Sequence, residues 1–242
     1  MTMTWEELGW ERVAAGVGRC RLPGWDCTVG LVVGAGAALV IDAGSTLAEG
    51  ALLRAQAEEL AGGRVTHLAL THPHFDHVLG AAAFAGAEVF GAVGIDSVTA
   101  GELREDAVRQ GVDEAAATEA ADTLVRPRHF VSGEWTLDLG EGRQVLLANV
   151  GPAHSAHDLV VLVPGAEAGE PETVFCGDLV EESGDPQAGP DAVPSRWPAA
   201  LDRLLDLGGE DARYVPGHGA VADAAFVRAQ RDALAERFGV SP

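Results

Sequence analysis

The chain has 242 residues, 47% of them hydrophobic, which is enough apolar material to form a folded core and excludes a disordered chain. Sixteen basic residues, all of them arginine, against 37 acidic ones give a formal net charge of −21. Such an acidic surface repels phosphate backbones and anionic lipid, so we expect neither nucleic acid nor a membrane as a partner. No apolar run reaches the roughly 18 residues of a membrane span, and no leader pattern opens the sequence, which predicts a cytoplasmic protein.

Short apolar runs separated by glycine and proline predict most of the secondary structure. In the first part of the chain the pattern predicts strands over 12–22, 27–36 and 37–45, a helix over 47–61, a strand over 65–72, a short helix over 78–86 and a strand over 87–93. A helical region over 97–125 follows. The second part is predicted to have strands within 130–150 and over 158–164 and 172–180, and helices over roughly 195–207 and 221–238. We expect the last two helices to be separated by a loop with the sequence RYVPGHGA.

This order does not alternate strictly between strand and helix, so a simple doubly wound parallel sheet fits poorly. Two mixed sheets with helices on their outer faces fit better, which predicts an α/β (α+β) fold. Neither an internal repeat nor a long linker divides the sequence. We therefore expect a single domain over residues 1–242.

The segment THPHFDHVLG, residues 71–80, is the strongest chemical signal in the sequence. It places His72, His74, Asp76 and His77 within six residues, directly after an apolar strand. Only eight histidines occur in the whole chain, so such clustering is improbable by chance. Imidazole and carboxylate groups suit a borderline cation such as Zn²⁺. The i, i+2 pair of histidines points the same way in an extended chain and can bind one ion, which leaves the other two side chains for a second.

Three further candidate ligands share one local setting: each ends or follows an apolar strand, next to small residues. They are His154, Asp178 and His218. A strand end aims a side chain while the adjoining loop leaves space for a substrate. Each residue alone is typical of a hydrogen-bonded structural group, but together with the first cluster they predict a metal centre.

With these residues in this order, the chain resembles the metallo-β-lactamase superfamily of metallohydrolases over about residues 28–220. The matching motifs are a strand-ending aspartate, the HxHxDH signature, a single histidine, a bridging aspartate and a histidine in a Pro-Gly-His-Gly turn, here Asp42, residues 72–77, His154, Asp178 and His218. The resemblance implies a four-layer αβ/βα sandwich with metals at one edge of the two sheets.

The resemblance also implies a ligand set for two divalent ions, expected to be Zn²⁺, with Fe or Mn as alternatives. The implied ligands are His72, His74 and His154 for the first ion, Asp76, His77 and His218 for the second, and Asp178 bridging both. Asp42 is implied to support the loops of the site rather than to bind metal.

Two such ions lower the pKa of a bound water and polarise a substrate oxygen, so we expect hydrolysis by metal-bound hydroxide, with Asp76 and Asp178 as catalytic carboxylates. Within the resemblance, a bridging aspartate points to thioesterases, lactonases and related hydrolases, which implies a small ester, thioester or lactone as the acyl substrate. A mononuclear iron enzyme similar to persulfide dioxygenases and a β-lactamase are the alternatives. The acidic charge argues against a nuclease, and the complete ligand set argues against a non-catalytic binding protein.

The sequence leaves the substrate pocket and the oligomeric state open. Four residues near the motifs are candidates for substrate contact, although an ordinary structural role competes for each: Trp25, His157, Arg196 and Trp197. The helical region 97–125 is a further candidate, as a cover over the metals. Cys176 is expected to be a small buried side chain.

Overall fold

The computed structural model describes residues 3–167 and 169–240. Seven strands form a first sheet in chain order: β1 (Trp10–Ala14), β2 (Val17–Arg21), β3 (Thr28–Val33), β4 (Ala38–Ile41), β5 (His67–Ala69), β6 (Glu88–Ala92) and β7 (His129–Val131). Five strands form a second sheet in the reverse of chain order: β8 (Glu134–Asp138), β9 (Gln144–Asn149), β10 (Leu159–Val163), β11 (Thr173–Glu181) and β12 (Arg213–His218). Both sheets are mixed, because β4 to β7 pair in parallel, as do β11 and β12, whereas the other neighbours are antiparallel.

The helices begin and end at residues suited to those positions. They are α1 (Leu47–Ala61), α2 (Phe75–Val78), α3 (Ala100–Arg109), α4 (Glu114–Asp122), α5 (Trp197–Gly208) and α6 (Ala224–Phe238). Thr46 caps α1 by accepting a hydrogen bond from the Glu49 amide, and Gly62 ends it in the left-handed conformation. In the described ranges, none of these helices combines the length and the apolar character that crossing a membrane requires.

Three buried clusters divide the molecule into four layers. Ile41 and Phe90 of the first sheet share a cluster with Leu147 and Phe175 of the second, so the two sheets pack face to face. A second cluster joins the first sheet to α1, α3 and α4, and a third joins the second sheet to α5 and α6. This arrangement of helices, sheet, sheet and helices confirms the fold class expected from the sequence.

Four sequence-based assignments need correction. The expected strand over 12–22 is the hairpin of β1 and β2, which turns between residues 14 and 17. The region 97–125 is two helices, since α3 ends at Arg109 and α4 begins at Glu114. The expected helix over 78–86 is displaced: α2 begins at Phe75, and a 3₁₀ helix, Leu79–Phe84, continues it. The expected loop RYVPGHGA contains β12, an edge strand in which a proline is tolerated.

Strand β11 is irregular near its end, where it pairs with β12. Gly177 pairs with Pro216 and Glu181 pairs with His218. Between these two pairs β11 therefore advances by four residues while β12 advances by two, as at a β-bulge. The amide of Gln230 on α6 satisfies the backbone there: its nitrogen donates to the Leu179 carbonyl at 2.7 Å, and its oxygen accepts from the Glu181 amide at 3.0 Å.

We predict that Gln230→Ala lowers the free energy of unfolding by about 1–3 kcal/mol, because the buried Glu181 amide loses its side-chain acceptor and the Leu179 carbonyl keeps only the indole of Trp197 as a side-chain donor. Urea unfolding measures the change. The control is Gln187→Ala, since Gln187 is exposed and its truncation should change stability by less than about 0.5 kcal/mol. Equal effects of the two substitutions would contradict this role for Gln230.

Candidate metal centre

Four separate segments bring the seven candidate ligands to one place. Residues 72–77 follow β5 and enter α2, His154 lies between β9 and β10, Asp178 lies in β11, and His218 ends β12. The structure therefore gathers all seven residues, from loops and strand ends of both sheets. All are buried except His74, which is partly exposed.

The first group of donor atoms consists of three imidazoles and one carboxylate. His154 Nε2 lies 3.1 Å from His74 Nδ1. Asp178 Oδ2 lies 3.5 Å from both His72 Nε2 and His154 Nε2. These four residues form one of the clusters whose donor atoms are close enough together to hold an ion.

The second group shares the same carboxylate. His77 Nε2 is 3.2 Å from Asp178 Oδ1 and 3.6 Å from Asp76 Oδ2. His218 Nε2 is 3.4 Å from Asp76 Oδ2 and 3.3 Å from Asp178 Oδ2. The carboxylate of Asp178 thus faces both groups, as a bridging ligand would. Gly217 makes room for it, because a Cβ at that position would lie 1.9 Å from Asp178 Oδ1.

Two of the imidazoles are oriented by the hydrogen bonds that they donate to Asp42 and Thr71. Asp42 Oδ2 accepts from both Thr71 Oγ1 and His77 Nδ1 at 2.8 Å. Since the Thr71 hydroxyl donates to Asp42, it accepts from His72 Nδ1, at 2.9 Å. In both histidines Nδ1 carries a proton and Nε2 is directed at the other candidate ligand atoms, the arrangement that outer hydrogen bonds impose on metal-ligating histidines. Asp42 therefore has the supporting position expected from the sequence.

Two more imidazoles are oriented by groups outside the motifs. His74 Nε2 donates to Asp191 Oδ2 at 3.1 Å, which leaves Nδ1 for the first group. His218 Nδ1 donates to the Trp25 carbonyl at 2.7 Å, which leaves Nε2 for the second group. Asp191 belongs to the long segment between β11 and α5, so that segment is tied directly to a candidate ligand.

Burial and charge set the protonation of the cluster. Burial lowers the pKa of His72 and lowers that of His154 to about 4, so both are neutral at pH 7, the form that binds a metal. Burial also opposes the charged form of His218, but the Asp178 carboxylate outweighs it and raises the pKa of His218 to about 9. Burial likewise opposes ionisation of Asp178, yet the positive charges of His77 and His218 hold its pKa well below the ordinary value.

The residues fit a pair of divalent ions on two counts. Buried His72 Nε2 and Asp178 Oδ1 have no hydrogen-bond partner among the described residues, and an unpaired buried polar atom is costly unless something binds it. Donor atoms at about 2.0–2.1 Å from a tetrahedral ion are about 3.3–3.4 Å apart. The quoted donor separations in both groups, 3.1–3.6 Å, bracket that value.

The loop that carries His154 is fixed by Asp158. This buried carboxylate accepts from the amides of Ala153 and Ser155, and from the Ser155 hydroxyl at 2.8 Å. Burial raises the pKa of Asp158 to about 7 despite these bonds. The serine hydroxyl accepts in turn from the His157 amide at 3.0 Å, so the serine orients this loop.

The four candidates for substrate contact lie in different environments, and three of them are at least partly buried. Trp197 is fully buried, donates to the Leu179 carbonyl and packs on the ring of His154 at 5.2 Å, so it supports the site from within. His157 lies in a loop with Nδ1 2.9 Å from the Val93 carbonyl, to which it donates. Trp25 packs edge-on against Phe75 at 5.2 Å and is partly exposed.

Arg196, Cys176 and the helices of residues 97–125 lie at the surface or in the core. Arg196 is exposed, and its amide closes a turn onto Val193. Cys176 is buried in the cluster between the second sheet and α5 and α6, as expected for a small core side chain. Helix α3 packs against α2 rather than carrying any of the candidate ligands.

Sequence reasoning missed three carboxylates that the fold brings to the site: Asp158, Asp191 and Glu181. Glu181 is buried on β11, and burial together with the Asp178 charge raises its pKa to about 7. Asp158 had a local signal, since it follows the His154 motif closely. The other two have none, because their approach depends on the path of β11 and of the segment after it.

A groove of about 650 Å³ elsewhere in the molecule does not compete with this site. It lies between α5 and α6 and is lined by residues such as Asp202, Arg231 and Glu236. None of the seven candidate ligands borders it. The converging donor atoms, and not this groove, therefore mark the candidate active site.

We predict that Asp191→Ala weakens divalent-ion binding to the first group by about 10- to 100-fold, because His74 loses the partner that fixes its ring. Competition titration with a chromophoric chelator measures the affinity. Asp185→Ala is the control, since Asp185 is an exposed carboxylate of the same segment and its substitution removes the same charge. If both substitutions weaken binding equally, long-range charge and not ring orientation is responsible.

Known proteins share sequence and fold with this chain. Residues 22–218 match the family described as the metallo-beta-lactamase superfamily. A protein of Xenopus laevis named metallo-beta-lactamase domain-containing protein 1 is 29% identical over 199 residues, covering 80% of this chain and 71% of its own length.

Solved structures with the same fold include TMB-1, with a TM-score of 0.67 and 20% identity over 95% of this chain and 97% of that one. A metallo-β-lactamase from Hirschia baltica has a TM-score of 0.65 and 17% identity, over 93% and 96% of the two chains. Given the family match over most of its length, the chain belongs to the metallo-β-lactamase superfamily, a family of metal-dependent hydrolases.

Proposed function

We propose that the protein is a dinuclear hydrolase of a small ester, thioester or lactone, acting as a single domain. The observation that carries the proposal is the position of Asp178, whose carboxylate lies within 3.2–3.5 Å of imidazoles from both groups, with Oδ2 near His72, His154 and His218 and Oδ1 near His77. A carboxylate so placed offsets part of the repulsion between two nearby dications. We assign Zn²⁺ to both positions as the ion that best suits imidazole and carboxylate donors.

The proposed chemistry divides between the ions and the protein. Two divalent ions supply an activated water and polarise the substrate oxygen when they are bound. The chain contributes five imidazoles and two carboxylates, a charge of −2 against +4, so the occupied site attracts a developing negative oxygen. Asp76 turns Oδ2 toward His77 and His218, which leaves its other oxygen to accept a hydrogen bond from the attacking water.

The charges around the site favour a neutral acyl substrate. Carboxylates border both groups, with Asp191 beside His74 and Glu181 beside His218. The net charge of −21 further opposes a polyanion such as RNA. A substrate without a carboxylate or phosphate of its own meets none of this repulsion.

We predict that kcat/KM for an acyl thioester or a lactone exceeds that for a cephalosporin or a phosphodiester, because only the last two carry an anionic group to the site. The four substrates are assayed with one enzyme preparation at one Zn²⁺ loading. Asp178→Ala is the control for metal-dependent turnover and should lose activity on every substrate.

A cephalosporin value above both acyl values would instead support a β-lactamase, and a phosphodiester value above both would support a nuclease. Oxygen-dependent turnover of a persulfide with one bound iron would support the mononuclear alternative. The Hirschia baltica protein is named a metallo-β-lactamase, but at 17% identity its likeness to this chain extends only to the fold.

A further inference from the structure

Strand β11 carries a third carboxylate that lies beside the second group of donors. The side chain of Glu181 is only 9% exposed, and its Oε1 lies 3.9 Å from His218 Nε2. No side-chain hydrogen bond to its carboxylate is found in the parts of the chain that the structure describes. Burying a carboxylate without a hydrogen bond is costly, and the position of this one beside His218 points to a compensating positive charge.

The backbone is shaped to bring this carboxylate to the site. Residues three apart on a regular strand point to opposite faces of the sheet, so the side chains of Glu181 and Asp178 would lie on opposite faces. The irregular pairing after Gly177 reverses this: Glu181 lies in register with His218, and paired residues of neighbouring strands share a face. Gln230, from the other side of the strand, holds the irregular segment through the Glu181 amide.

The separation of the donor atoms is compatible with one shared ion. Two donors at about 2.1 Å from one ion are about 3.4 Å apart in a tetrahedral arrangement and up to about 4.2 Å apart when they lie opposite each other. The 3.9 Å between Glu181 and His218 falls between these limits. The carboxylate of Glu181 therefore needs little movement to bind the ion that His218 binds.

We propose that Glu181 is a fifth protein ligand of the second metal position and that it raises the affinity of that position for Mn²⁺ more than its affinity for Zn²⁺. With Asp76, Asp178 and Glu181, this position has three carboxylates and only two imidazoles. Zn²⁺ is usually held by four ligands and favours nitrogen and sulfur, whereas Mn²⁺ accepts more oxygen ligands. The inference rests on the proposed dinuclear site and adds to it the identity of one ligand and its effect on metal choice.

Metal affinity, and not turnover, provides the test. The dissociation constants of Mn²⁺ and Zn²⁺ are measured by chelator competition for the wild type, Glu181→Gln and Glu181→Asp. A His218→Ala reference identifies the binding step that belongs to the second position. Glu181→Asp keeps the charge but shortens the side chain, so it separates direct ligation from a through-space charge effect. Asp185→Asn removes a charge from an exposed neighbouring site and serves as the matched control.

We expect both Glu181 variants to weaken Mn²⁺ binding at the second position by about tenfold or more, with a smaller loss for Zn²⁺ and no change in Asp185→Asn. If Glu181→Asp binds Mn²⁺ like the wild type, ligation is overturned, and equal losses for the two metals would overturn the effect on metal choice. A crystal structure of the Mn²⁺-loaded wild type decides the matter if the variants do not fold, because a Glu181 oxygen must then lie at coordination distance from the ion at the second position.

The failure of this inference is distinguishable from that of the proposed function. If the wild type binds only one ion, the dinuclear site and the role of Glu181 both fail. If it binds two ions and neither Glu181 variant changes their affinity, only the role of Glu181 fails. The substrate comparison is independent of both results, since it uses the wild type at one metal loading.

Discussion

The carboxylate of Asp178, held between two groups of imidazoles, is the interaction on which the architecture of the site depends. One oxygen lies close to His72, His154 and His218, and the other lies close to His77. A buried carboxylate with an unpaired oxygen is unfavourable unless positive charge compensates it. The imidazoles provide part of that charge, and two divalent ions would provide the rest.

The fold supplies the rigidity that such a constellation needs. The ligands come from both sheets, whose inner faces share one buried cluster, so the sheets cannot shift without disturbing both groups of donors. The outer hydrogen bonds then set each ring: Asp42 holds His77, Asp191 holds His74, and a backbone carbonyl holds His218. This is how packing far from the site determines which ring nitrogen is available to a metal.

Features encoded locally could be predicted from the sequence. Helix α1 begins and ends as expected because Thr46 and Gly62 are strong local signals, and the cluster 72–77 is visible because its members are adjacent. The superfamily and the fold class follow from motifs in a fixed order. The pairing of His74 with Asp191, in contrast, joins residues 117 positions apart and leaves no trace in a local pattern.

Two misread features have physical reasons that only the fold reveals. Strand β12 resembles a loop because it contains Pro216 and Gly217, yet it lies at a sheet edge, and its glycine is needed where Asp178 approaches closely. Glu181 gives no signal in the sequence, because regular alternation would place it on the opposite face of β11 from Asp178, and the irregular pairing of β11 brings it to the site. In both cases the requirements of the site override local propensity.

The central claim is that this chain holds two ions bridged by Asp178, and anomalous diffraction at the zinc absorption edge tests it most directly. In crystals grown with Zn²⁺ the account predicts two anomalous peaks about 3.5–4 Å apart. One peak should lie beside His72 and His154, the other beside His77 and His218, with the Asp178 carboxylate between them. A single peak, or two peaks from which His77 and His218 both turn away, would contradict the account.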